Sequence, residues 1–321
     1  MTHIFRQVSL NFVWTYIALL FAATAFTMIG CGGSVSTENL DSPSDKIIVT
    51  ATTSIVADWA QQIGGERVFV DSVIPYGSDG HSYQVTADGV KKIAESDYIF
   101  GIGLGYEDKW LTKLLDNYPE GRVLYLGSSV DPIPFHDEHD EEDEHGHGQF
   151  DPHIWFDPIR VAEIATVLGE ELERIDPKGA QYYQDRVRDY IAELNDLHSN
   201  ISKKIAEIPI ESRVIITSHE SLGYLEARYG IEVLTAVIPG LDAEVLPTPK
   251  DLIFAIKQIN DKDIKVIFVD ETRSAKASER VSEETGIRVV TGLKVESLTV
   301  GQTYLDFMEN NMNIIFSNIG P

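Results

Sequence analysis

Three of the nine histidines in this 321-residue chain stand where apolar, β-rich runs end. His81 lies in Asp79-Gly80-His81-Ser82-Tyr83, His153 in Asp151-Pro152-His153-Ile154-Trp155, and His219 in Thr217-Ser218-His219-Glu220. A carboxylate, Glu296, follows the last such run in Lys294-Val295-Glu296-Ser297-Leu298. Ligands of open α/β sheets bind beyond the carboxyl ends of the strands, so side chains at these ends are placed to converge. Three neutral imidazoles and one carboxylate suit a borderline divalent ion, zinc above all. Four protein ligands close the coordination sphere and favour binding over hydrolysis, because activating water needs an open position. Taken singly, each residue has a plainer role: a histidine after a strand caps or packs, and a carboxylate there faces solvent.

Four more histidines, His136, His139, His145 and His147, fall in the segment 131–151, which carries nine acids and no Lys or Arg. Like charges at that density oppose packing, so a loop is expected. Its carboxylates would concentrate cations and its imidazoles would bind zinc weakly. The plainer reading is a solvated charge run with incidental histidines. His3 and His198 sit in an apolar leading segment and a helical stretch, respectively.

Alternating strand-like and helix-like patterns must position these residues. Short β-branched runs at 46–52, 68–75, 98–103 and 122–127 alternate with helical spacing at 55–64, 87–96 and 107–117. The pattern returns with runs at 213–217, 233–237, 265–270 and 288–291 and helices at 221–229, 249–260, 274–284 and 302–317. Apolar strands separated by helices predict buried, mainly parallel sheets. Between the two sets, residues 178–207 keep apolar positions at Tyr182, Val187, Tyr190, Ile191, Leu194, Leu197, Ile201 and Ile205. That spacing predicts one long helix spanning both halves. The expected organisation is an α/β protein with two four-stranded lobes, 46–177 and 208–321, joined by the helix 178–207.

The first 30 residues have one positive charge, Arg6, then an apolar stretch from Phe12 to Ile29, which reads as an export signal. It closes on Met28-Ile29-Gly30-Cys31, and Cys31 is the only cysteine. An uncleaved membrane-anchor helix is the alternative. Residues 31–45 read as a flexible tether. One cysteine excludes an internal disulfide and a multi-thiolate metal site. With 26 Lys plus Arg against 51 Asp plus Glu, the formal charge is −25, which excludes nucleic acid as a partner. A hydrolase would need a general base, for which Glu220 is the one obvious candidate. There is no His-Glu-x-x-His run and no Gly-x-Ser-x-Gly elbow, and Tyr106 stands where a dinucleotide fingerprint after Gly101 and Gly103 needs its third glycine. An enzyme is not expected.

From residue 46 onward the chain resembles the zinc and manganese solute-binding proteins of ABC importers. Asp151-Pro152-His153-Ile154-Trp155-Phe156-Asp157-Pro158 is similar to that family's Asp-Pro-His-hydrophobic-Trp-x-Asp-Pro. The segment from Asp79 to Tyr83 resembles its Asp-Pro-His-x-Tyr-Glu-Pro-Thr motif, with Gly80 for Pro and Gln84-Val85 for Glu-Pro. The stretch Ser218 to Tyr229 is similar to the segment with the third ligand, and Glu296-Ser297 lines up with a usual Asp-Ser. Met28 to Cys31 resembles the lipobox of bacterial lipoproteins, which implies cleavage before Cys31 and a lipid on its thiol.

The resemblance implies an extracytoplasmic monomer, in the periplasm or on the outer face of the cytoplasmic membrane. It would bind a metal between its lobes through His81, His153, His219 and Glu296 and deliver it to an ABC permease. The third histidine points to Zn²⁺, and the acidic His-rich loop resembles that of zinc-specific members. Mn²⁺ is the alternative, Fe²⁺ a variant of it, and an exported metallohydrolase a distant third. Because ligands must lose their protons, affinity is expected to fall as pH drops below about 6.5.

Overall fold

The computed structural model describes residues 46–115, 118–119, 121–134, 149–217, 221–234, 249–262, 264–271 and 275–320. The leading segment, the tether with Cys31, His136, His139, His145, His147 and His219 lie outside the described residues.

The first half contains β1 (Ile47–Ala51), α1 (Ser54–Gly64), β2 (Val68–Ser72), α2 (Ala87–Glu95), β3 (Tyr98–Gly101), α3 (Thr112–Leu115) and β4 (Val123–Tyr125). Its sheet has the order β2-β1-β3-β4. The second half contains β5 (Val214–Thr217), α6 (Gly223–Tyr229), β6 (Glu232–Leu234), α7 (Pro249–Asp261), β7 (Val266–Asp270), α8 (Lys276–Thr285), β8 (Arg288–Leu293) and α9 (Tyr304–Ile319). Its sheet repeats the arrangement as β6-β5-β7-β8. Every pairing between these strands is parallel, as the continuous apolar runs require of strands covered on both faces.

Two helices connect the halves, α4 (Pro158–Ile175) and α5 (Ala180–Ala206), packed along each other. The long helix matches the expected span within a turn at its start, where residues 177–179 form a 3₁₀ turn. It buries Tyr183, Tyr190, Leu194, Leu197, Ile201 and Ile205. Tyr183 takes the place expected for Tyr182, whose hydroxyl instead accepts the Glu66 N–H at 3.1 Å. At about 1.5–3 kcal/mol per buried side chain, such a stripe fixes the helix firmly. One continuous core runs from β1 and α1 through α4 and α5 to β5, β7 and α9. A separate cluster around Ile216, Ile259, Ile267 and Val281 seats α7 and α8 on the second sheet.

Two sequence expectations need correction. Among the described residues of the stretch 107–117, only Thr112–Leu115 are helical. Its apolar spacing is overridden by Glu107, whose carboxylate turns inward to accept from Thr52 Oγ1 (2.8 Å), Ile102 N (2.7 Å) and Gly103 N (2.8 Å). Burial pushes the Glu107 pKa up to about 7 against those three donors. The helix α4 was not among the expected elements, although Asp157-Pro158 is a capping signal. The Asp157 side chain accepts from Ile159 N at 3.0 Å, and proline fills the first turn.

Candidate metal centre

The structure brings three of the four expected ligands together. His81 Nε2 lies 3.2 Å from His153 Nε2, His153 Nε2 lies 3.2 Å from Glu296 Oε1, and His81 Nε2 lies 3.6 Å from the same oxygen. A four-coordinate ion with bonds of about 2.0–2.1 Å has donors about 3.3 Å apart, so these atoms already stand at the edges of such a polyhedron. The side chains of His153 and Glu296 are fully buried, whereas His81 is 18% exposed. A cleft of about 640 Å³, lined by Asp79, Tyr83, Asp270, Lys294, Glu296 and Ser297 among others, reaches the site from one side.

Both histidines are set by the same local device. Asp79 Oδ1 accepts the His81 backbone N–H at 2.8 Å, and Asp151 Oδ1 accepts that of His153 at 2.8 Å. An aspartate two residues ahead closes an Asx turn and aims the imidazole. Asp151 Oδ1 also lies 2.7 Å from His153 Nδ1, which leaves Nε2 to face His81 and Glu296. Burial by itself would lower the His153 pKa, but the carboxylates of Glu296 and then Asp151 outweigh it and raise the value to about 9. The two carboxylates thus favour the imidazolium form of this ring in the metal-free protein.

The rest of the motif has structural reasons. Trp155 is fully buried and donates from Nε1 to Val295 O at 2.9 Å, tying the His153 turn to the segment that carries Glu296. Asp157, besides capping α4, takes a two-pronged bond from Arg228 of the second half, Nε to Oδ1 at 2.8 Å and Nη2 to Oδ2 at 2.7 Å.

Two contacts that hold Glu296 or its segment were not singled out from sequence. Tyr106 donates its hydroxyl to Glu296 Oε2 at 3.0 Å. Burial, then the Glu296 carboxylate, push the phenol well above its ordinary pKa, so it remains a donor. Ser297 ties the Glu296 segment to Ser54 and Gly77 of the first half. The short Gly103-Leu104-Gly105 turn was the available signal for Tyr106, since alternating glycines mark a turn that aims the next side chain. No sequence signal points to Ser54.

Two like-ordered parallel sheets bridged by a long helix, with imidazole and carboxylate donors at their carboxyl ends, define a two-lobed ligand-binding protein built for a metal cation. The chain belongs to the ZnuA family, described as zinc-uptake complex component A, periplasmic, whose model matches residues 49–317. Its members are binding components of metal ABC importers and not enzymes. The chain is 26% identical to the manganese-binding lipoprotein MntA of Halalkalibacterium halodurans over 318 residues, covering 98% of this chain and 99% of that protein. It is 29% identical to the metal ABC transporter substrate-binding lipoprotein SloC of Streptococcus mutans, covering 85% and 90%. The Mn-bound periplasmic metal-binding protein of Candidatus Liberibacter asiaticus superposes with a TM-score of 0.74 at 26% identity, over 85% of this chain and 100% of that one.

Proposed function

We propose that this protein captures Zn²⁺ outside the cytoplasm and passes it to the permease of an ABC importer, held to the membrane by a lipid on Cys31. The ligands in this reading are His81, His153, Glu296 and, from its sequence context, His219. The lobes are 46–177 and 208–321 on either side of the long helix. The carrying observation is the meeting of His81 Nε2, His153 Nε2 and Glu296 Oε1 within 4.8 Å of one another, from segments distant in sequence. The donor set supports zinc, since imidazole nitrogen suits it better than it suits manganese. The lipid anchor is supported by the lipoprotein names of the matched relatives.

Manganese is the second reading, favoured by the names of MntA and of the Mn-bound structure. Elemental analysis of protein expressed in balanced metals, followed by chelator competition, separates the two. A molar equivalent of zinc, lost in His153→Ala, is the expected result. Manganese retained against equal free zinc would reverse the assignment, and undiminished zinc affinity in His153→Ala would end it.

A further inference from the structure

Tyr106 reaches Glu296 because two features of the chain clear its way. We infer that Tyr106 is a specificity-determining residue: by holding one oxygen of Glu296 it leaves the other to coordinate alone, which favours a four-coordinate ion over one that takes more oxygen ligands. This inference rests on the metal-centre reading above.

The first feature is the turn after β3, where Gly103, Leu104 and Gly105 all have positive φ, at 76°, 57° and 90°. Leucine rarely adopts that conformation, so the turn is imposed by its surroundings rather than chosen by the residue. It delivers Tyr106 directly into the site. The second is Gly80, immediately before His81. A Cβ there would stand 2.0 Å from the Tyr106 hydroxyl oxygen and 2.6 Å from its Cζ. The phenol therefore fills the space that any other side chain at position 80 would claim, and the two positions form a matched pair.

The ring is held as well as admitted. Its edge-to-face contacts are with His81 (centroids 5.0 Å apart) and Trp155 (5.9 Å). Tyr106 is 5% exposed, so its hydroxyl has little room to swing. It donates to Glu296 Oε2, while Oε1 faces the two histidine Nε2 atoms. For Oε2 to join the coordination sphere, it must share its lone pairs between the ion and the phenol, which weakens its hold on the metal. Zinc is satisfied by four donors. Manganese prefers an oxygen-rich, six-coordinate shell and gains more from a two-oxygen carboxylate. The hydroxyl thus weakens the donor that would benefit manganese most.

The test uses the full mature protein and its Tyr106→Phe and Gly80→Ala variants. Zn²⁺ and Mn²⁺ affinities are measured by chelator competition, and the visible spectrum of the Co²⁺ complex reports coordination number. In Tyr106→Phe the ratio of zinc to manganese affinity should fall by about tenfold, the scale on which groups around a metal's ligands act. The Co²⁺ bands should weaken toward those of five- or six-coordinate cobalt. Gly80→Ala should move both readouts the same way by displacing the hydroxyl, and it decides the matter if Tyr106→Phe fails to fold. Equal loss of both affinities with an unchanged cobalt spectrum would reduce Tyr106 to packing and overturn the inference alone. A wild-type protein that takes up neither ion would overturn the metal centre itself, and this inference with it.

Discussion

The hydroxyls of Ser54 and Ser297 lie 2.9 Å apart across 243 residues of sequence, and this contact helps tie the segment carrying Glu296 to the first half. Ser297 Oγ also accepts from Gly77 N, and Ser54 Oγ from Leu298 N, both at 2.9 Å. Gly77 N further donates to Leu298 O at 3.0 Å, and Trp155 Nε1 donates to Val295 O. The segment after β8 of the second sheet is thus sewn to the first half, where His81 and His153 reside. Three donors are assembled on one side of the cleft before any ion arrives.

Ser297→Ala should therefore weaken metal binding without touching a ligand. Loss of one buried hydroxyl costs about 1–2 kcal/mol. Thermal unfolding of the metal-free variant should come a few degrees lower, and chelator competition should show reduced zinc affinity. Unchanged affinity alongside a lowered melting temperature would mean that Tyr106, Trp155 and the bonds to Leu298 suffice to position Glu296.

Asp151→Ala should cost about 10–100-fold in zinc affinity, because the carboxylate orients His153 through both its backbone N–H and its Nδ1. The test is competition against a chelator at fixed pH. A loss under twofold would show that the buried ring keeps its orientation by packing against Trp155.

Above neutral pH the dependence stems mainly from His153, since the raised pKa of Glu107 acts at about pH 7 and below. Its folded pKa of about 9 exceeds the unfolded value of about 6.5, so the stabilisation is complete below about pH 6.5 and is lost as pH rises through about 9. Urea unfolding of the metal-free protein should lose on the order of 2–3 kcal/mol over that window, and His153→Gln should flatten the trend. Metal binding must displace the same proton. Zinc affinity should therefore rise about tenfold per pH unit up to about pH 9, rather than level off near 6.5 as an ordinary imidazole predicts. A plateau beginning at pH 7 would contradict the imidazolium assignment.

Arg228→Ala should destabilise the protein by about 2–3 kcal/mol. The change removes the two-pronged partner of Asp157, whose side chain is only 3% exposed. The loss falls below that of a fully buried pair because Arg228 is 32% exposed and Asp157 keeps Ile159 N and the Arg160 guanidinium at 3.4 Å. Urea midpoints measured for Arg228→Ala, Asp157→Asn and the double variant give the coupling between the halves. Additive effects would mean the pair contributes nothing to holding them together.

Much of this architecture was legible in the sequence because it depends on local pattern. The eight strands are β-branched runs that only a doubly covered parallel sheet can bury, and the long helix announces itself by its stripe from Tyr190 to Ile205. The donor chemistry was also local, since His81 and His153 each follow an aspartate by two residues and that spacing alone closes their turns. Tertiary structure decided the rest. Whether the expected helix could begin at residue 107 turned on Glu107 reaching Thr52, 55 positions away. Which tyrosine of the pair Tyr182 and Tyr183 is buried turned on where the Gly65 turn passes, since a Cβ there would meet the Tyr182 hydroxyl at 2.1 Å. The grip of Tyr106 and Ser54 on the Glu296 segment links residues 190 and more positions apart, and no periodicity encodes it. Sequence alone determined which atoms can bind a cation. Folding determined how many of them each residue presents, because hydrogen bonds across the cleft, and not the residue types, set which oxygen of Glu296 is engaged elsewhere.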